Sequence, residues 1–301
     1  MDVKPAAGIF LFWVLSVFGF YALGRLLPND AWQVYEYVTI LGGIVCLGLV
    51  TQFYRIYIEP GIQGKTIRRI IWLVVSVLIF LSGYWATAFL GVKHNFLMAV
   101  HTANLVLFAC VLGNWLVSPL KRSAELVPLC MVVALSDMFS VFAGPTKQFA
   151  SSITGYYRQG ADGIPPFVDF ILVKLPFPGN DMFIPVFGIT DWIIIVLLSA
   201  GAAKFEMDDN LLPETMIGTK KRSCLVFFPV AGLGLILSIT GARFLGAYLP
   251  ALPFIVVVFL AIMAMKYPGI RQLTRSEIRP MIIMGAVMAA AMAVFKITAI
   301  F

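Results

Sequence analysis

Charge is what this chain lacks. Of its 301 residues only 12% are Asp, Glu, Lys or Arg, about half the share of a soluble domain. With 60% hydrophobic residues and a mean hydropathy of +0.94, that scarcity excludes a soluble globular fold and defines a polytopic membrane protein. Cysteine is scarce as well. Cys46, Cys110, Cys130 and Cys224 lie in or beside apolar runs without metal-type spacing, which argues against a disulfide framework and a zinc site; no metal and no cofactor is expected. There is no internal repeat, no low-complexity tract and nothing that marks a separate soluble domain. The one surplus is positive, a net charge of +7. In a soluble protein it would point to nucleic acid. Here the basic residues fall between apolar runs, so they face anionic lipid instead, and no nucleic-acid partner is expected.

Nine spans can be drawn, at about 7–27, 35–57, 68–91, 96–118, 124–143, 182–202, 224–241, 246–266 and 280–300, each near the length a helix needs to cross a bilayer. The first follows Met1-Asp2-Val3-Lys4 and is too long for a signal-peptide core, so it reads as a retained span. The odd-numbered gaps carry 15 of the 22 Lys and Arg residues and the other side carries 7. The N-terminus is therefore predicted cytoplasmic, with the C-terminus and the connection 144–181 outside. His94 and His101 fall on roughly one face of the fourth span and, with Asn104 and Asn114, could line a polar path; a His near a membrane boundary is more often interfacial. The small residues Gly285 to Ala293 in the last span read as helix packing. Lys147, Arg158 and the pair Tyr156-Tyr157 read as interfacial anchors.

The chain is organised around the stretch 167–201. Asp169 to Leu175 alternates and is rich in β-branched and aromatic residues, so it predicts a strand, stopped by Pro176 and Pro178. Asn180 and Asp181 can cap a helix, and the run from Met182 to Gly201 is long enough to span. Inside it sits Asp191. A carboxylate in hydrocarbon is costly, roughly 2.5–3.5 kcal/mol on insertion scales, and is by default functional. Its candidate partner is Asp137, in a fifth span with no basic residue nearby. Counting from the outer ends, Asp137 falls about seven residues deep and Asp191 about nine, or roughly 10 and 14 Å, on consecutive antiparallel helices. Two carboxyls sharing a desolvated site cannot both ionise cheaply, so the pair is expected to hold one proton between them, as aspartic proteases do. Pro250-Ala251-Leu252-Pro253 opens the eighth span on the same side. Its prolines leave backbone groups unpaired, which is tolerable where they face protein or a water-filled cavity.

Four segments in order resemble the presenilin and signal peptide peptidase group of GxGD intramembrane aspartyl proteases. Asp137-Met138-Phe139-Ser140-Val141-Phe142 resembles the first aspartate motif, Lys174-Leu175-Pro176-Phe177-Pro178 the "KLVFP" segment, Gly188-Ile189-Thr190-Asp191 the GxGD motif, and Pro250-Ala251-Leu252 the PAL motif. Ser136 stands where the family has tyrosine and Thr190 where it has the second glycine; threonine is larger and can hydrogen-bond a carboxylate. Four spans, not five, precede the first aspartate helix, and one further span follows the PAL helix. The resemblance implies an all-α, presenilin-like bundle of about nine transmembrane helices with a short β-strand before the second aspartate helix. It covers about 124–267, the catalytic core; the four N-terminal helices (1–123) and the extra C-terminal helix (268–301) lie outside it and rest on hydropathy. It implies an intramembrane endopeptidase of prokaryotic type, set in a plasma membrane. Asp137 and Asp191 are its dyad, Gly188, Thr190, Pro250, Ala251 and Leu252 its support, and the strand Ile171, Leu172, Val173, Lys174 and Leu175 the segment that pairs with an unwound substrate. Transmembrane segments or leftover signal peptides are the implied substrates, with the lipid bilayer as surroundings; a homo-oligomer is compatible with it.

Other functions use the same residues differently. A proton- or cation-coupled transporter or channel also carries intramembrane carboxylates, but it predicts inverted repeats, and none is visible. A catalytically silent membrane scaffold would read Ser136 and Thr190 as decay. A prepilin-peptidase-like enzyme has no place for the PAL and KLPFP segments.

Overall fold

A computed structural model describes residues 4–26, 32–92, 94–161, 163–176, 183–211, 227–246 and 249–275, with parts of 278–290. The chain is mostly helical. Its helices are α1 (Lys4–Leu26), α2 (Trp32–Tyr57), the single turn α3 (Glu59–Ile62), α4 (Thr66–Leu90), α5 (Asn95–Leu116), α6 (Leu126–Ala143), α7 (Pro145–Arg158), α8 (Ile189–Lys204), α9 (Val230–Leu245) and α10 (Ala251–Lys266). Strands β1 (Leu172–Pro176) and β2 (Phe183–Gly188) form an antiparallel pair.

Among the described residues five helices, α1, α2, α4, α5 and α6, are long and apolar enough to cross a membrane, and the chain is accordingly a multi-pass membrane protein. The helices α8, α9 and α10 have 16 residues each, or about 24 Å at 1.5 Å per residue, short of a hydrocarbon core of about 30 Å. Of the nine expected spans, five are thus supported by length and composition among the described residues. The ninth predicted span, 280–300, is described only at 281–283, 285–287 and 290, and the proposed cap Asn180-Asp181, Phe177-Pro178 and Cys224 lie outside the described residues.

Burial sorts the helices by neighbour. The most apolar window of α5 is 67% buried inside the protein, against 22% for α1 and for α4, so α5 is the central helix and the other two turn apolar faces outward. It packs on α1, α4 and α8. Helix α10 packs on α6, α8 and α9 and so links the two aspartate-bearing helices. Gly234 permits its approach to α9: a Cβ there would lie 2.5 Å from the Ile255 Cα and 2.6 Å from the Phe254 carbonyl oxygen.

The connections gather at two ends. At one, the Arg55 guanidinium donates to Ser199 Oγ at 2.6 Å, Arg122 donates to the Gln272 carbonyl and the Asp208 N–H donates to the Tyr267 hydroxyl. These segments come from the gaps predicted to share a side. At the other end lie the Arg243–Glu36 ion pair, α7 and the β-hairpin.

The hairpin corrects two sequence expectations. The strand predicted over 169–175 begins at Leu172, because Phe167–Ile171 is a 3₁₀ turn. The helix predicted from Met182 begins at Ile189. Pro185 has no N–H to give an α-helix interior, and the β-branched and aromatic residues about it suit a pleated strand. The register pairs Leu172 with Gly188 and Pro176 with Phe183, with a bulge between Val173 and Lys174.

Candidate active site

Three helix ends meet at the hairpin end of the bundle. Asp137 lies in α6, seven residues before its left-handed terminus at Gly144. Asp191 is the third residue of α8, so the depth assigned to it from sequence is corrected: it sits in the first turn, not deep within a span. Leu252 is the second residue of α10, which starts after Pro250. Gly246, at φ 60°, ends α9 in the left-handed region that favours glycine and lets the chain turn back into α10.

Each carboxylate is held by one backbone donor. The Leu252 N–H donates to Asp137 Oδ2 at 3.0 Å. The Gly188 N–H donates to Asp191 Oδ2 at 3.1 Å, the return half of a capping box. Both donors come from helix starts, where N–H groups have no intrahelical partner and the backbone dipoles favour negative charge. The PAL prolines stand at the opening of the helix, where the sequence placed them. Pro250 precedes the helix, Pro253 lies in its first turn, and of the two N–H groups between them that of Leu252 is spent on Asp137. The two aspartates, brought together from separate helices, are close enough for their charges to interact. Both are half-buried. Among the described residues neither carboxylate has a second hydrogen bond, which leaves its other oxygen available.

The supporting residues fall as follows. Thr190 is exposed, and the donor to Asp191 is Gly188, not threonine. The Thr190 Oγ1 lies 3.2 Å from where a Gly188 Cβ would be, so glycine keeps the corner clear. Ile171 ends the 3₁₀ turn. Val173, Lys174 and Leu175 are buried and β1 packs on α1, α2 and α5 while pairing with β2. One edge of this strand is taken by β2, and helices α1, α2 and α5 lie about the rest of it. Among the described residues the sheet has two strands, so the outer edge of β2, like that of β1, pairs with no other strand.

A polar latch holds the hairpin, and sequence reasoning missed it. Asp169 and Lys174 form a buried ion pair, and the Tyr157 hydroxyl donates to Asp169 Oδ1 at 3.1 Å. Burial pulls the Lys174 ammonium below its usual range while Asp169 pulls it back up. Tyr157 is thus a strut from α7 rather than an interfacial anchor. His101 Nε2 lies 2.8 Å from the Phe170 carbonyl oxygen, fastening the same turn to α5. The residues that could have lined a polar path have separate partners. His94 caps α5 through the Phe96 N–H, Asn104 donates to the Ser76 carbonyl of α4, and Asn114 donates within its own helix. The four residues are engaged separately. The spacing of Asp169 and Lys174 was the available signal: a bulge between Val173 and Lys174 brings residues five apart together.

Among the described residues no three His, Cys, Asp or Glu side chains converge as a metal site would require. No family model, curated protein or solved structure matches the chain.

Proposed function

We propose that the protein is an intramembrane aspartyl protease that hydrolyses peptide bonds in transmembrane segments or leftover signal peptides through Asp137 and Asp191. The observation that carries this reading is the pair of carboxylates on separate helices, each fixed by one backbone N–H and each with an oxygen to spare. The motif resemblance, with its presenilin-like bundle, supports it; the fold itself carries no functional argument.

The chemistry follows from a dyad that shares one proton. The ionised member takes a proton from water as the oxygen attacks the scissile carbonyl carbon, while the protonated member gives its proton to the carbonyl oxygen. The tetrahedral diol then collapses: one hydroxyl returns its proton to a carboxylate, the amide nitrogen gains one, and the C–N bond breaks. A helical substrate shields its peptide bonds, so the cleaved segment must be extended. Added to the outer edge of β2, it would satisfy its backbone groups by strand addition, two or three residues from Asp191. On this reading β2 takes the docking role that the sequence assigned to 171–175.

The test is cleavage of a membrane-embedded, signal-peptide-like substrate by purified protein in detergent, alongside Asp137→Asn and Asp191→Asn. Cleavage by wild type and by neither variant supports the proposal; cleavage that persists in either variant sinks it.

A further inference from the structure

The end of the bundle opposite the aspartates holds a cavity of about 530 Å³. Four cations line it, Arg55, Lys65, Arg69 and Lys204, with Glu59 the one carboxylate among the described lining residues. Partners divide these cations into two kinds. Arg69 pairs with Glu59, and Arg55 lies in the field of Asp209. Two guanidiniums are thus met by two carboxylates. The two lysines are met by neutral oxygens. Lys204 Nζ donates to the carbonyls of Val117, Ser118 and Leu120 at 3.1, 2.8 and 2.6 Å, and Lys65 Nζ to that of Gly61 at 3.4 Å. A carbonyl satisfies hydrogen bonds and leaves the charge. Among the described residues the cavity therefore carries an excess of two positive charges at the bundle's end.

The backbone adds to that field. Thr66 opens the 25-residue helix α4 at the cavity wall, and its N-cap, Lys65, makes no side-chain capping bond. First-turn N–H groups of a long helix attract anions, phosphate above all. Behind them Arg69 is only 6% exposed, and among the described residues its Nε and that of Arg55 have no hydrogen-bond partner. Buried guanidinium donors without partners are uncommon.

We infer that this cavity is a binding site for a phosphate monoester, whose double negative charge matches the lysine surplus. The ester has two possible sources. A phosphatidic-acid-type lipid could place its headgroup there from the bilayer, since basic pockets between transmembrane helices suit anionic headgroups. A water-soluble phosphate ester could enter from the aqueous side.

Calorimetric titration of the full-length protein in a non-ionic detergent, at fixed ionic strength, tests this. The probes are dihexanoyl phosphatidic acid, glycerol 3-phosphate and, as zwitterionic control, dihexanoyl phosphatidylcholine. Lys65 is exposed, so Lys65→Gln folds; Lys204→Gln is the second variant, with thermal melting as the check on both. The expected result is saturable binding of at least one monoester, absent for phosphatidylcholine and weakened about tenfold in each folded variant. Binding of the lipid alone assigns the site to a headgroup, and binding of both with like affinity assigns it to the soluble ester. Absence of saturable binding to wild type overturns the inference, as does binding that Lys65→Gln leaves unchanged.

Discussion

The backbone N–H of Leu252 and the carboxylate of Asp137 are joined by a hydrogen bond of 3.0 Å although they lie 115 positions apart. The bond fixes a side chain of α6 against the first turn of α10. An asparagine at 137 keeps an oxygen to accept it and loses only the ability to exchange a proton. Asp137→Asn is therefore expected to melt within a few degrees of wild type while, under the proposed activity, cleavage falls by about 10³-fold or more. Asp137→Leu, which strands the N–H, should melt lower than Asp137→Asn.

The corner at Gly188 has little room. A methyl group there comes within 3.2 Å of Thr190 Oγ1 and 3.5 Å of Asp191 Oδ2, while the backbone at φ −74° suits alanine. Gly188→Ala is expected to cut cleavage about tenfold by displacing Asp191, with little change in melting. Adding Thr190→Ala should return part of the activity, so a double-mutant cycle reads a coupling between the two positions.

Two helical glycines should respond in opposite ways to alanine. Gly234→Ala drives a methyl group into the backbone of α10, an overpacking that costs about 1–3 kcal/mol and lowers the melting temperature. Gly155 in α7 has nothing within 4 Å of its missing Cβ, so Gly155→Ala should stabilise by about 0.5–1 kcal/mol.

The buried ion pair beneath the hairpin is expected to behave asymmetrically. Lys174→Met alone leaves Asp169 buried without its cation and destabilises by about 3–5 kcal/mol. Lys174→Met with Asp169→Leu removes both charges and should recover much of that loss. Denaturant midpoints of the three proteins decide the matter.

Asp209 gives a pH dependence of known sign. It lies in the segment after α8, and burial raises its carboxyl from 3.8 to about 6 against the opposing pull of Arg55. Between those values the folded state binds the proton and the unfolded state does not. Its contribution therefore favours folding at about pH 4 and is lost as pH rises through 6, by at most about 3 kcal/mol. Melting curves of Asp209→Asn should lack this component, and a pH profile identical to wild type would reject it.

Much of this was written in the sequence where hydrophobicity alone decides. The first five spans stand within a few residues of their expected ends, and Asp137, Asp191 and Leu252 meet as their order along the chain implied. What escaped was decided by backbone chemistry inside an apolar run. Periodicity cannot tell a buried strand from a buried helix over six residues, so Phe183–Gly188 read as the start of a span, and Pro185 was the clue that was passed over. That error moved Asp191 from a helix start to a helix interior. The tie from Tyr157 to Asp169 escaped for another reason: tertiary pairing across α7 and a 3₁₀ turn leaves no local pattern to read.

Gly188 is at once the last residue of β2 and the donor to Asp191. Strand and acid are therefore one mechanical piece with no hinge between them. A chain laid along β2 would tug on the same peptide unit that aims the carboxylate, and a chain that failed to lie flat would leave it misaimed. Under the proposed activity, selectivity then resides less in a pocket that reads side chains than in whether a segment yields its helix at that edge.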